Sequence, residues 1–442
     1  MLVDSSDYLG GQYWRHAPSS QAAGPPSRQH HGWAGFERLR QRLVGDPGCQ
    51  VVTSAHVWSI DSDGVHVMVG EADGEGRESR CYRAAAVVLA TGAHDRVLPV
   101  PGWDLPGVYS AGGGQALAKG EGVAIGRRVV VAGTGPFLLP VASSLLDAGC
   151  AVAGVFEAGR AGHLMRRWTV RPWELLGQPA KVLELGRYGS TLARRRVRYA
   201  TGCAVTAIHG GQRVEAVTVS RLDASWAPRP GVGETLDVDA VCLGFGFSPR
   251  VELALAAGCR LDDRHFVMVD AQQRTSVPSV FAAGEITGIG GVDLALCEGT
   301  IAGHVAAGGR GDDSVLRVER RRRKVLRAFA SRLQGAHAIG PKWTDWLNDD
   351  TVVCRCEEVD VARLRSVVET SESLSLRSLM LQSRAGLGSC QARICGRTVE
   401  ELLLRTIPSH RLVGEGSIDR RPIASPVRLG EIAQSRAFEV EG

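Results

Sequence analysis

The stretch Arg127-Arg128-Val129-Val130-Val131-Ala132-Gly133-Thr134-Gly135-Pro136-Phe137-Leu138 determines the fold of this 442-residue chain. An unbroken apolar run ending in glycine predicts a strand buried on both faces, as in the interior of a parallel sheet. Gly133 and Gly135 supply a tight turn, and a helix is expected through Ala148 to Gly149. Ala151–Phe156 reads as the next strand, ending at Glu157. Strand, glycine turn, helix and strand make a βαβ unit with the layout of a nucleotide-binding fold. Leu138 stands at the third glycine position of G-x-G-x-x-G, so its bulk is expected to prevent the closest approach of helix to strand. Glu157 lies where an acidic residue takes a ribose hydroxyl pair. Arg160 just beyond it could meet a 2′-phosphate, which leaves NAD and NADP both open.

Two segments bracket this unit. Upstream, Ala86-Val-Val-Leu-Ala90-Thr91-Gly92 reads as a strand and a small-residue turn. It runs into Leu98-Pro-Val-Pro-Gly102-Trp103-Asp-Leu-Pro-Gly107, whose prolines and glycines force an extended crossover. Downstream, Asp239-Ala-Val-Cys-Leu-Gly244 repeats the strand-and-turn pattern. Val280-Phe-Ala-Ala-Gly284-Glu285 follows, and Gly288-Ile-Gly290-Gly291 opens a helix whose N-terminal amides favour negative charge.

Near the C-terminus, Cys354 and Cys356 form C-x-C, and Cys390 and Cys395 form C-x4-C, with 33 residues between the pairs. Four thiolates gathered two by two suit either a tetrahedral zinc or a [2Fe–2S] cluster. Gly386, Gly388 and Gly396 flank the second pair and let backbone amides come close. The other seven of the 11 cysteines are scattered singles. Such cysteines are usually small buried hydrophobes in a reducing compartment, so a cytoplasmic location is expected.

A chain of this length should divide into several domains. Its net charge of +5 gives no case for nucleic acid. No apolar run is long enough to cross a bilayer, so contact with a membrane is expected only indirectly, through an electron acceptor. The absence of a redox-active cysteine pair after Gly11 or Gly135 argues against disulfide reduction. His30-His31 reads as a loop pair rather than a metal site. The basic run Arg320-Arg-Arg-Arg-Lys324 reads as the solvated face of a linker helix, or as a docking surface for an acidic partner. Trp343 and Trp346 look like anchors that pack the linker onto a neighbour, and the tail around Arg420–Glu431 is expected to be extended.

The cysteine segment resembles the helical [2Fe–2S] domain of the bacterioferritin-associated ferredoxin type. The A-T-G strand, the strand and turn beginning at Asp239 and the A-x-G-E turn together resemble the flavoproteins with two dinucleotide-binding domains. Combined with D-D-T-V-V-C-R-C-E-E-V and R-R-P-I-A-S-P-V-R-L-G-E, the whole is similar to the A (alpha) subunits of heteromeric amino-acid dehydrogenases. That group includes opine oxidases, proline and hydroxyproline dehydrogenases and bacterial hydrogen cyanide synthase.

The resemblance implies an α/β fold with two Rossmann-like domains and a small helical [2Fe–2S] domain. It implies an FAD domain over 1–120 and 237–310, an NAD(P)-type domain over 121–236, a linker over 311–350, a cluster domain over 351–406 and a tail over 407–442. FAD would be met by Asp4, Gly10, Gly11, Gln12, Ala90, Thr91, Gly92, Gly284, Glu285 and Gly291. NAD(P) or another nucleotide would lie on Gly133, Gly135 and Glu157, and the cluster on the four cysteines. The implied partner is a flavoprotein subunit of the D-amino-acid-oxidase type that oxidises the substrate, and that scheme also includes a small ferredoxin-like subunit. In such a fold Met1-Leu-Val-Asp4 is the second strand of the FAD domain. The first strand, its glycine turn and its helix have no counterpart here, so residues 1–110 are expected to fold poorly or bind FAD weakly and the start codon to lie further upstream.

Overall fold

The computed structural model describes residues 1–16, 32–170, 179–372, 374–407, 418–421 and 423–433; His30 and His31 lie outside them. The chain divides into two compact units, residues 1–93, 249–327 and 419–442 in one and residues 94–248 and 328–418 in the other. Strand pairing fixes the place of one segment in the second unit. Ala240–Gly244 lies between Arg128–Gly133 and Val108–Ser110 in the second unit, in parallel with both.

The second unit is built on a five-stranded sheet in the order Tyr199–Thr201, Ala151–Glu157, Arg128–Gly133, Ala240–Gly244, Val108–Ser110. The valine run sits at its centre, and Val129, Val130 and Val131 are fully buried. The predicted helix is Leu138–Asp147, which covers the sheet with Val141, Ala142 and Leu145. Leu138 is buried against the sheet, and Gly244 on the neighbouring strand packs against Ala111, whose Cβ an added side chain would meet at 2.6 Å. An antiparallel sheet of Cys203–His209, Ala216–Leu222 and Pro228–Asp237 completes the nucleotide-type fold.

Helices Val361–Thr370, Leu376–Ser383 and Gly396–Thr406 form the cysteine segment around Leu364, Leu379, Val399 and Leu403. Asp360 and Ser375 cap the first two by accepting backbone amides of Arg363 (2.7 Å) and Ser378 (3.1 Å). Trp343 and Trp346 are buried in the core of the nucleotide-type fold, where the Trp346 ring stacks on Trp226 at 5.9 Å. The neighbour those anchors meet is part of the same chain.

The first unit carries smaller ladders. Leu2–Val3 pairs in parallel with Val51–Val52, and Val87–Leu89 pairs in parallel with Val280–Ala282. Ala55–Ile60, Val65–Val69 and Glu78–Tyr82 form an antiparallel sheet. The tail returns to that sheet. Ala424 donates its amide to the Trp58 carbonyl (2.7 Å), and Glu431 takes both Nε and an Nη of Arg77 (2.9 and 2.5 Å). Beyond this extended stretch the tail forms a short helix, Leu429–Ala433.

The linker helix is Arg317–Ala336. Its basic run is only partly a solvated face: Arg321, Arg322 and Lys324 are exposed, whereas Arg323 and Arg327 turn toward Glu298. Among the described residues no helix is long and apolar enough to cross a membrane.

Candidate functional site

In the second unit the structure brings Gly133, Gly135 and Glu157 together. The sheet register sets Glu157 opposite Gly133 and Gly133 opposite Gly244. Gly133 adopts φ +147°, and a Cβ there would lie 1.7 Å from the Gly244 carbonyl oxygen, so only glycine fits. The Glu157 carboxylate is fully buried and serves as the organising acceptor of the turn. It accepts from the Thr134 hydroxyl (2.7 Å), the Gly135 amide (2.8 Å) and the Gly159 amide (2.8 Å). His337 Nδ1 stands 3.4 Å from it. Just past this turn, Arg160, His163 and Arg167 line a cavity of about 470 Å³ with Trp226, Gly340 and Pro341.

In the first unit the paired strands Val87–Leu89 and Val280–Ala282 deliver their turns side by side, which brings Ala90–Gly92 together with Gly284–Glu285. Ala283 donates its amide to the Leu89 carbonyl (3.0 Å). Thr91 donates its hydroxyl to the Arg250 carbonyl (2.6 Å), and Gly92 takes a left-handed conformation. Glu285 accepts the Gly291 amide at 3.1 Å, and burial pushes its carboxyl up from the ordinary range. The amide at the start of helix Gly291–Ala306 is therefore held by a side chain of this chain. Asp4, Gly10, Gly11 and Gln12 follow the separate Leu2–Val3 ladder; Asp4 accepts the Ser6 amide at 2.9 Å, and Gln12 is exposed.

Sequence reading missed Glu298. This carboxylate is fully buried and accepts from the Gly284 amide (3.0 Å), the Thr287 hydroxyl (2.7 Å) and Arg327 Nε (2.7 Å). Its signal was weak: one of two acids on a mostly apolar helix, with Arg327 29 residues further along the chain.

The four C-terminal cysteines come together as two thiol pairs. Cys354 meets Cys395 and Cys356 meets Cys390. The Cys354 thiol is drawn down to about 6, first by the Cys395 thiol that donates to it and then by backbone amides, among them Gly386 at 3.4 Å. Its partner Cys395 is pushed up correspondingly, and burial raises Cys390. Among the described residues no group of three or more His, Cys, Asp or Glu stands as a metal-holding set. The donor chemistry nevertheless suits a soft metal. All four sulfurs are free thiols, and the amides of Gly386, Cys356 and Glu357 turn toward one of them. Left-handed backbone at Gly386, Gln391 and Ala392 makes this turn tight, and a Cβ on Gly388 would come within 2.3 Å of Cys356 Cβ. Cys354 and Cys395 are buried, Cys390 is half-buried and Cys356 is exposed, so the site has an inner and an outer edge.

The sequence pattern of the pyridine nucleotide-disulphide oxidoreductase family matches residues 13–311. The A-type subunit of opine oxidase from Rhizobium meliloti is 32% identical over 98% of this chain and 82% of its own length. Hydrogen cyanide synthase subunit HcnB of Pseudomonas protegens is 32% identical over 88% of this chain and 79% of its own length. The crystal structure of L-proline dehydrogenase from P. horikoshii shares the fold, with a TM-score of 0.62 at 18% identity, over 98% of this chain and 74% of that one. The protein is an oxidoreductase with FAD/NAD(P)-type dinucleotide-binding folds, and it belongs to the pyridine nucleotide-disulphide oxidoreductase family, among relatives of the A-type subunits of opine oxidases.

Proposed function

We propose that this chain is the FAD- and [2Fe–2S]-dependent electron-relay subunit of a heteromeric dehydrogenase acting on an amino acid, opine or proline-type substrate. The observation that carries this reading is the gathering of Cys354, Cys356, Cys390 and Cys395 in a protein of a flavin oxidoreductase family. A flavin accepts two electrons together, and a [2Fe–2S] cluster takes them one at a time.

The chain's own residues have definable tasks in this scheme. Ala90–Gly92 and Gly284–Glu285 form paired turns against which a dinucleotide can lie. Glu298 fixes the direction of the Gly284 amide, which leaves that turn no freedom to follow a ligand. Glu285 is the acidic group suited to a ribityl hydroxyl. The four sulfurs would hold the cluster, with the inner pair shielded from water and the outer edge reachable by an acceptor. The relatives named as subunits of opine oxidase and hydrogen cyanide synthase support a partner polypeptide that reads the substrate. A D-amino-acid-oxidase-type flavoprotein suits that role, and a small ferredoxin-like subunit is a further candidate member of the complex.

The test is to co-express the chain with a neighbouring flavoprotein of the D-amino-acid-oxidase type and reduce the complex anaerobically. Bleaching of flavin by an amino acid, and only with the partner present, is the expected result. Rapid bleaching of the isolated chain by NADH would instead identify a self-contained NAD(P)H-dependent reductase using Gly133, Gly135 and Glu157.

A further inference from the structure

Arg355 stands between the two cysteines of C-x-C, yet its side chain points away from them. Its guanidinium lies 5.2 Å from the centre of the Trp103 ring and donates to the Asp104 carbonyl at 3.2 Å. Trp103 is itself buried, and its indole N–H donates to the carbonyl of Val352, two residues ahead of Cys354. The same crossover reaches the other half of the cysteine site. Thr398 donates its hydroxyl to the Val97 carbonyl at 3.3 Å, and Arg96 pairs with Glu401 at 2.7 Å. Thr398 and Glu401 belong to the helix Gly396–Thr406, which starts immediately after Cys395.

The crossover is rigid for sequence reasons. Pro99 and Pro101 fix their own φ angles. Gly102 is left-handed, and a Cβ there would lie 2.1 Å from the Ile208 carbonyl oxygen, so the turn that presents Trp103 tolerates glycine alone. A pre-set stretch of the nucleotide-type fold thus grips both flanks of the cysteine site.

We infer that Trp103 and Arg355 are positioning residues for this site. Together they clamp the C-x-C loop so that Cys354 stays inside and Cys356 stays at the surface. The clamp does not rest on the [2Fe–2S] reading above.

One measurement on the full-length chain, purified without oxygen and then stripped of metal with a chelator, tests the inference: the rate of Cys354 alkylation read by mass spectrometry. Trp103→Leu should react several-fold faster than the unaltered chain, with Trp103→Phe between them, and Arg355→Gln should also be faster if the leucine variant does not fold. Equal rates would overturn the clamp. Zinc found in place of iron would refute the relay function, while the alkylation rates would still decide the clamp.

Discussion

Glu298 and Arg327 meet through a 2.7 Å hydrogen bond beneath the Gly284 turn, with the carboxylate fully buried and the guanidinium about one-third exposed. The same carboxylate also faces Arg323 at 3.6 Å, so it is shared between two guanidiniums. Arg327→Leu leaves Glu298 with Arg323, the Gly284 amide and the Thr287 hydroxyl, and should destabilise the first unit by about 1.5–3 kcal/mol, the value of a hydrogen bond to a charged group. Glu298→Gln takes the charge from both arginines, of which Arg323 is mostly buried, and should cost about 3–5 kcal/mol. Denaturant unfolding of both variants checks the order, and a larger loss for Arg327→Leu would contradict it.

The glycines of the nucleotide turn are expected to differ sharply. Gly133→Ala drives a methyl group into the Gly244 carbonyl at 1.7 Å, so the central strands must separate. A loss above ~4 kcal/mol is expected, in the range reserved for gross core damage. Gly135 has φ +104° and nothing within 4 Å of an added Cβ, so Gly135→Ala should incur only backbone strain, roughly 1–2 kcal/mol. Thermal unfolding of the two variants makes the comparison.

Acid should release the tail. Arg77, buried against Glu431, holds that carboxyl down from 4.5 to about 2, with help from the Arg428 amide. A carboxylate depressed in the folded state stabilises it fully above its unfolded value, and the contribution fades as pH falls through the folded value. The Ala424 amide, bonded to Trp58 O, should therefore exchange faster as pH drops from about 4.5 toward 2, beyond the intrinsic change in exchange rate. Glu431→Gln should show the same loss of protection at neutral pH, read by hydrogen–deuterium exchange.

At the cysteine site, Gly388→Ala would place a methyl group 2.3 Å from Cys356 Cβ, and Gly386→Ala would meet Met380 and Ala392 at 2.8 and 2.9 Å. Both should lower iron content per chain and leave the unfolding of the five-stranded sheet near its original temperature. Full iron loading of either variant would count against the four-cysteine assignment.

Much of this architecture could be read locally. The valine run, the Gly133 turn and Glu157 sit within one βαβ unit, so period, turn chemistry and spacing coincide, and the cysteine pairs announce themselves by spacing. The missed features depend on contacts between remote parts of the chain. Arg77 receives Glu431 and Trp103 receives Arg355, and neither pair leaves a periodic trace. Within the basic run, periodicity marks the helix face, but only the position of Glu298 shows that Arg323 turns inward.

On the proposed reading, Cys354, Cys356, Cys390 and Cys395 hold a [2Fe–2S] cluster able to take single electrons from a flavin. Metal and sulfide analysis of the anaerobically purified full-length chain decides this, with electron paramagnetic resonance during stepwise reduction. Iron and acid-labile sulfide in equal amounts are expected, with a reduced-cluster signal that Cys354→Ser and Cys395→Ser abolish. Zinc without sulfide, and no such signal at any stage of reduction, would contradict it.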